Sequence, residues 1–178
     1  MVFNDFKDFV AKLPDTGRII GVDWGAKRMG VAVSDESREF VFLRQVEERT
    51  GQSAGIIDRI IEIIVAEKIT GVVIGLPTHA DGTDSDTTRH VREFAEKVSV
   101  AVSVPIGFID ERLTSAEAEE YVGALGPTRR NLAISAGPGG NAPFRSGAFP
   151  RAPTPIDSHA AAIILENAIA MIIRLRRA

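Results

Sequence analysis

Ile19-Ile20-Gly21-Val22-Asp23-Trp24-Gly25-Ala26-Lys27-Arg28-Met29-Gly30-Val31-Ala32-Val33-Ser34-Asp35 decides the fold of this chain. Two apolar, β-branched runs, 19–22 and 31–33, flank a turn that holds Gly25 and Lys27-Arg28. Such a pattern predicts a β-hairpin. Asp23 interrupts the end of the first run. A carboxylate at the mouth of a buried strand costs on the order of several kcal/mol unless it is paired or binds a cation. Gly25 and Gly30 leave room for another backbone or a ligand to approach closely. The plainer reading is an aspartate that only initiates the turn.

On the N-terminal side, Asn4 is placed to cap a short helix with Phe6, Phe9, Val10 and Leu13 at helical spacing, ended by Pro14–Gly17. Beyond the hairpin, Phe40–Leu43 reads as a third strand and 51–68 as a helix. Gly71–Pro77 is a short, uniformly apolar strand of the kind buried on both faces of a parallel sheet. An Asp81-Gly82 turn then leads to a helix with Val91, Phe94, Ala95 and Val98 on one side. Its start would offer a phosphate free N–H groups, but Asp81, Asp84 and Asp86 repel one. The strand Val104–Ile109 ends in Asp110-Glu111-Arg112, and Thr114-Ser115-Ala116-Glu117 is a capping box for the next helix. Residues 126–155 keep no periodicity and carry six of the nine prolines. The last helix runs from Ile156 to about Arg174, with Ile156, Ala160, Ile163, Ile164, Met171 and Ile172 on one face. The order β-β-β-α-β-α-β-α-loop-α implies one α/β domain over 1–178, a mixed sheet with helices on both faces.

The composition narrows the chemistry. There is no cysteine, which excludes disulfides, thiolate zinc sites and a Cys nucleophile. The start has neither the basic region nor the apolar core of a signal peptide, and no apolar run approaches the ~20 residues of a membrane span. A soluble, cytoplasmic protein without membrane contacts is expected. The net charge of −3 hides an asymmetry: residues 1–120 hold 14 Lys+Arg against 22 Asp+Glu, whereas 121–178 hold seven Arg against Asp157 and Glu166. Only the last third offers the basic face that binds nucleic acid, through 128–151 with Arg129 and Arg130, joined by Arg174, Arg176 and Arg177.

In such sheets, sites form where strands end and diverge. Asp23 ends the first strand, Asp110-Glu111 ends the last, and Asp157 opens the final helix near the angular position of Ile164. Carboxylates of this kind suit Mg²⁺ or Mn²⁺ rather than zinc. Two such ions can activate water and stabilise the leaving oxygen of a phosphodiester. Each acid has a plainer role: Thr154-Pro155-Ile156-Asp157 fits a helix cap, Glu111 can pair with Arg112, and Asp110 competes with Glu111. Lys27 and Arg28 either contact phosphates or solvate a turn. Of the three histidines, His79 is the best placed for proton transfer.

Four segments, taken together, resemble a known family: Asp23-x-Gly25-x-Lys27-Arg28-x-Gly30-x-Ala32-x-Ser34-Asp35, Gly75-Leu76-Pro77 with Asp81-Gly82, Asp110-Glu111-Arg112-Leu113-Thr114, and Ile156-Asp157-x-x-Ala160-Ala161. They are similar, in order and spacing, to the YqgF family of ribonuclease H-like Holliday junction resolvases, also described as pre-16S rRNA nucleases. The resemblance spans roughly Arg18 to Ile173 and implies a five-stranded ribonuclease H-like sheet, metal-dependent phosphodiester hydrolysis, possession of Mg²⁺ or Mn²⁺, and a role in rRNA maturation. It puts Asp23, Glu111 and Asp157 on the catalytic, metal-holding positions. Lys27, Arg28, Arg112, Arg129 and Arg130 are then the expected nucleic-acid contacts. Pre-rRNA is favoured over a DNA junction as partner, with association to the ribosome; the oligomeric state stays open. The chain departs from the family in its long, Gly/Pro-rich, arginine-only link before the last helix. Two other readings stand: an actin-like phosphotransferase, against which 178 residues supply only one of the two domains an ATP cleft needs, and a non-catalytic RNA-binding assembly factor.

Overall fold

The computed structural model describes residues 1–25, 28–44, 47–48, 53–77, 85–110 and 156–177, with backbone alone at 47–48, 53–54 and 156–158. In chain order its elements are β1 (Val2–Phe3), α1 (Phe6–Lys12), β2 (Ile19–Trp24), β3 (Arg28–Ser34), β4 (Val41–Leu43), β5 (Glu47–Glu48), α2 (Ser53–Ala66), β6 (Gly71–Leu76), α3 (Asp86–Ala101), β7 (Ile106–Asp110) and α4 (Ile156–Arg177). The strands form one mixed sheet in the order β1-β7-β6-β2-β3-β4, with β5 also on β3. β2 and β3 make the expected hairpin, antiparallel from Ile20 opposite Val33 to Trp24 opposite Met29. β6 and β7 run parallel to β2, as their unbroken apolar character requires when both faces are covered. Five strands answer to the five expected. The two additions are two-residue pieces, too short or too charged to leave a period in the sequence.

Alternation along the strands divides the interior in two. On one face Ile20, Val22, Trp24, Val31 and Ile74 pack with Ile60 and Ile64 of α2 and Val91, Phe94 and Val98 of α3. On the other, Ile19, Ala32, Val73 and Ile109 pack with Phe6 and Phe9 of α1 and Leu165, Ala168 and Ile172 of α4. Glycines set how closely the second layer approaches. A Cβ at Gly21 would lie 2.7 Å from Leu165 Cβ and 2.9 Å from the Ala161 carbonyl oxygen, and one at Gly107 would lie 2.6 Å from the Phe9 ring. Gly21→Ala is therefore expected to lower stability by about 1–3 kcal/mol through overpacking against helix backbone, read from the denaturant midpoint.

That close approach also explains where α4 departs from expectation. It continues to Arg177, and its sheet-facing residues are Ala161, Ala162, Ile164, Leu165, Ala168, Ile169 and Ile172. Ile163 is 55% exposed. The stretch from Ala160 to Leu165 is apolar throughout, so its period is ambiguous, and the inner face is set by the close approach of Ala161 and Leu165 to Gly21. Elsewhere the helix α1 is capped by Asp5, whose side chain accepts from the Lys7 amide, while Asn4 accepts from Arg92. β4 starts at Val41 because the Asp35 carboxylate holds the Glu39 and Phe40 amides in the preceding turn. β7 starts at Ile106 because Pro105 has no N–H to give a ladder.

Two arginines fasten the turn before β2. Arg38, left-handed at φ 59, donates to the Pro14 and Gly17 carbonyls, and Arg176 near the end of α4 donates to those of Leu13, Pro14 and Asp15. Burial, and then the Arg176 charge beside it, lower Arg38 to about 10, so it remains a cation at neutral pH.

Candidate active site

Ile19 and Gly21 face α4 and α1, so alternation puts Asp23, two residues on, at the same face. It is half-buried, at the C-terminal mouth of the parallel strands. On that face its cross-strand partner is Gly30, and one step beyond the Val22–Ile74 pair its β6 neighbour is Gly75. Both of these positions are glycines. Trp24 faces the other way and lies against Phe94, ring centroids 4.7 Å apart. Gly25 is needed for a different reason: a Cβ there would meet the Arg28 carbonyl oxygen at 2.6 Å across the hairpin.

α4 runs antiparallel to β2. Its Ala161 and Leu165 touch Gly21, and its Arg176 reaches Leu13–Asp15, ahead of the strand. Four helical residues back from Ala161 cover about 6 Å, and two strand residues on from Gly21 about 6.6 Å. The backbone of Asp157 is therefore level with Asp23. It lies about 20° from Ile164 in helical phase, and Ile164 is buried. Asp110 closes β7 opposite Leu76 and shares the parity of Ile106 and Phe108, which pack on the α2/α3 side. It thus sits on the face opposite Asp23. Arg28 is exposed at the start of β3. The side chain of Asp157, and all of Lys27, His79, Glu111, Arg112, Arg129 and Arg130, lie outside the described residues, as do the helix expected after Thr114 and the segment 126–155. Among the described residues no group of three His, Asp or Glu gathers to hold a metal ion. No described helix is long and apolar enough to cross a membrane.

Other motif residues have structural work. Ser34 accepts from the Ile19 amide at 3.0 Å and donates to the Asp35 carbonyl at 2.9 Å. Burial works to raise the Asp35 carboxyl, but hydrogen bonds from Ser37, Phe40 and Glu39 outweigh it and hold the group below its ordinary value. This Ser-Asp pair is at the far end of the hairpin from Asp23. At the start of α3, Ser85 and Thr88 form a capping box that takes up the Thr88 amide. Arg176 is likewise committed to carbonyls at the pole remote from Asp23. Sequence reasoning quoted Gly75 as part of a motif without placing it beside Asp23, and it missed Thr88, hidden in a polar run, whose hydroxyl donates to the Pro77 carbonyl.

Two glutamates titrate in opposite directions. For Glu67 burial works to raise the carboxyl, but Arg44, bidentate at 2.8 and 2.7 Å, and Arg18 at 3.2 Å outweigh it and lower it. Its stabilisation is present at neutral pH and is lost as pH falls through the lowered folded value. Burial raises Glu166. A raised carboxyl favours the folded state below its unfolded value, and that benefit is lost as pH rises through the folded value. Glu166→Gln is thus expected to raise the melting temperature at pH 7. The gap from the wild type should close as pH falls below about 4.3, the ordinary glutamate value.

Similarity to known proteins identifies the family of the chain. Residues 17–133 match the model of the RuvX family, described as Holliday junction resolvase. A protein of Maridesulfovibrio salexigens named "Putative pre-16S rRNA nuclease" is 42% identical over 109 residues, covering 61% of this chain and 80% of that one. Its namesake in Ruegeria sp. is 34% identical over 75% of this chain and 84% of its own. Among solved structures, T. thermophilus RuvC in complex with a Holliday junction substrate superposes with a TM-score of 0.53 at 16% identity, covering 88% of this chain and 96% of that one. The yeast mitochondrial Holliday junction resolvase Ydc2 gives 0.54 at 12% identity, over 97% and 86%. At these identities the structures speak for the fold alone, which is ribonuclease H-like. The sequence match carries the rest: the chain belongs to the RuvX family of Holliday junction resolvases.

Proposed function

We propose that this chain, as a single ribonuclease H-like domain, is a divalent-metal-dependent nuclease that hydrolyses phosphodiester bonds in structured nucleic acid. Pre-16S rRNA is its substrate, cut near the 5′ end, in the cytoplasm and in association with the ribosome. The observation that carries the reading is Asp23: a half-buried carboxylate at a strand mouth, with glycine at the neighbouring position of each adjoining strand, level with the first turn of α4. A charge at such a place is costly unless it is compensated, and oxygen donors of this kind fit Mg²⁺ or Mn²⁺. When bound, such an ion supplies Lewis acidity and a water of lowered pKa.

In this reading Asp23 is the fixed point, because β2 is held on both sides. Glu111 is the second ligand in preference to Asp110, since one further residue of strand would return the chain to the face of Asp23. Asp157 is the third, on the first turn of α4. Lys27 and Arg28, with Arg112, Arg129 and Arg130, hold the sugar-phosphate backbone. The relatives' name favours pre-rRNA; the family description favours a four-way DNA junction as the alternative.

The test is incubation of the purified protein with labelled pre-16S RNA, and separately with a synthetic four-way junction, in Mg²⁺, Mn²⁺ or EDTA. Cleavage of the RNA in metal alone is expected. Cleavage confined to the junction would move the substrate to DNA. Tight binding with no cleavage in any metal would replace the nuclease by an assembly factor. Trp24, the only tryptophan, adjoins Asp23 and gives a second readout: Mn²⁺ titration should change its fluorescence.

A further inference from the structure

Thr88 is 0% exposed, and its hydroxyl is used to capacity. It donates to the Pro77 carbonyl, and it accepts from the Ser85 amide at 3.0 Å and from the Ser85 hydroxyl at 2.9 Å. The Thr88 amide donates back to Ser85 Oγ at 3.0 Å. A capping box needs only the two reciprocal bonds between Ser85 and Thr88. The bond to Pro77 lies outside the helix and serves something else. Pro77 is the first residue beyond β6, two residues on from Gly75, the β6 neighbour of Asp23. Through this one hydroxyl, the point where the chain leaves the sheet beside Asp23 is bolted to the first turn of α3. The same helix is anchored to the sheet further along, where Phe94 packs against Trp24 with ring centroids 4.7 Å apart.

We propose that Thr88 is a positioning residue for hydrolysis: its hydroxyl fixes the direction in which the chain leaves β6 at the mouth that holds Asp23. The inference rests on the nuclease reading. Thr88 touches neither substrate nor metal, and it acts through the Pro77 carbonyl. Small displacements at a reacting centre are costly, a 1 Å misplacement being worth about a hundredfold in rate.

The experiment compares Thr88→Val, Thr88→Ser and Thr88→Cys in the full chain. Single-turnover cleavage and KM for labelled RNA are measured at a temperature where all are folded, beside melting temperature and the Mn²⁺ response of Trp24. Thr88→Val keeps the shape and removes the hydroxyl; its rate should fall about thirtyfold or more, with KM and the Mn²⁺ midpoint within about threefold of wild type. Thr88→Ser should restore the rate to within about threefold, and Thr88→Cys, a weak donor, should fall between. A helix cap and nothing more would lower the melting temperature of Thr88→Val and leave its rate unchanged, which overturns the proposal. If Thr88→Val does not fold, a Thr88→Cys enzyme at full rate overturns it equally. A wild type that cleaves neither RNA nor junction brings down the nuclease reading and this inference together, whereas a cleaving wild type with an equally fast Thr88→Val brings down this inference alone.

Discussion

Asp23→Asn is expected to leave the protein folded and to cut single-turnover cleavage by at least about a hundredfold, some 2.7 kcal/mol of barrier. Asparagine keeps the shape of the side chain, and the strand around it is secured by neighbours that do not involve the carboxylate. Ile20, Val22 and Trp24 are buried on one face, Gly21 is closed under α4, and β3 and β6 pair on either side. The melting temperature should change little, because these contacts hold the strand in place. The Mn²⁺ response of Trp24 should vanish with activity. Normal cleavage by pure Asp23→Asn would remove the site from this end of the sheet.

The second large effect separates three acids that look alike in sequence. Asp157→Asn retains much of a cap's hydrogen-bonding ability, so a capping role predicts at most about 1 kcal/mol of lost stability and near-normal turnover. Metal ligation predicts little change in melting temperature and loss of about a hundredfold or more in rate. Glu111→Gln should behave in the same way. Asp110→Asn should cleave close to normally, because Asp110 shares the parity of Phe108 and lies across the sheet from Asp23. The reverse pattern, with Asp110→Asn inactive and Asp157→Asn active, would require a site on the α2/α3 face.

What the sequence reveals about this architecture follows from how each signal arises. The hairpin and β6 were legible as short, unbroken apolar runs buried on both faces, and α3 because its apolar residues repeat at the helical period and are buried as that period demands. The position of Asp23 was legible as a contradiction, a charge in a run that burial should keep apolar. The inner face of α4 was not, because nearly every residue from Ala160 to Ile164 is apolar. Its orientation depends on Gly21, 140 residues earlier, accepting Ala161 and Leu165 at contact distance. Likewise nothing local distinguishes Ser34-Asp35, which builds a turn, from Asp23, which faces the site; both are polar residues at the ends of one hairpin. The opposing parity of Asp110 is invisible until the register with Leu76 is known.

The family match begins at residue 17, yet the preceding segment is wedged into the protein through Phe9, Leu13 and the carbonyls held by Arg38 and Arg176. A truncation designed on family boundaries would therefore cut through an interior. It would leave a void over Gly71 and Gly107 where the Phe9 ring and the Leu13 side chain now sit, a loss of about 3–5 kcal/mol for the phenylalanine alone. It would also strip β1 from β7 and leave the Ile106 amide, which donates to the Met1 carbonyl, without its partner. Such an edge recruits other strands. A chain trimmed to its recognisable core should aggregate, and an insoluble product would report on the missing sixteen residues, not on the chemistry at Asp23.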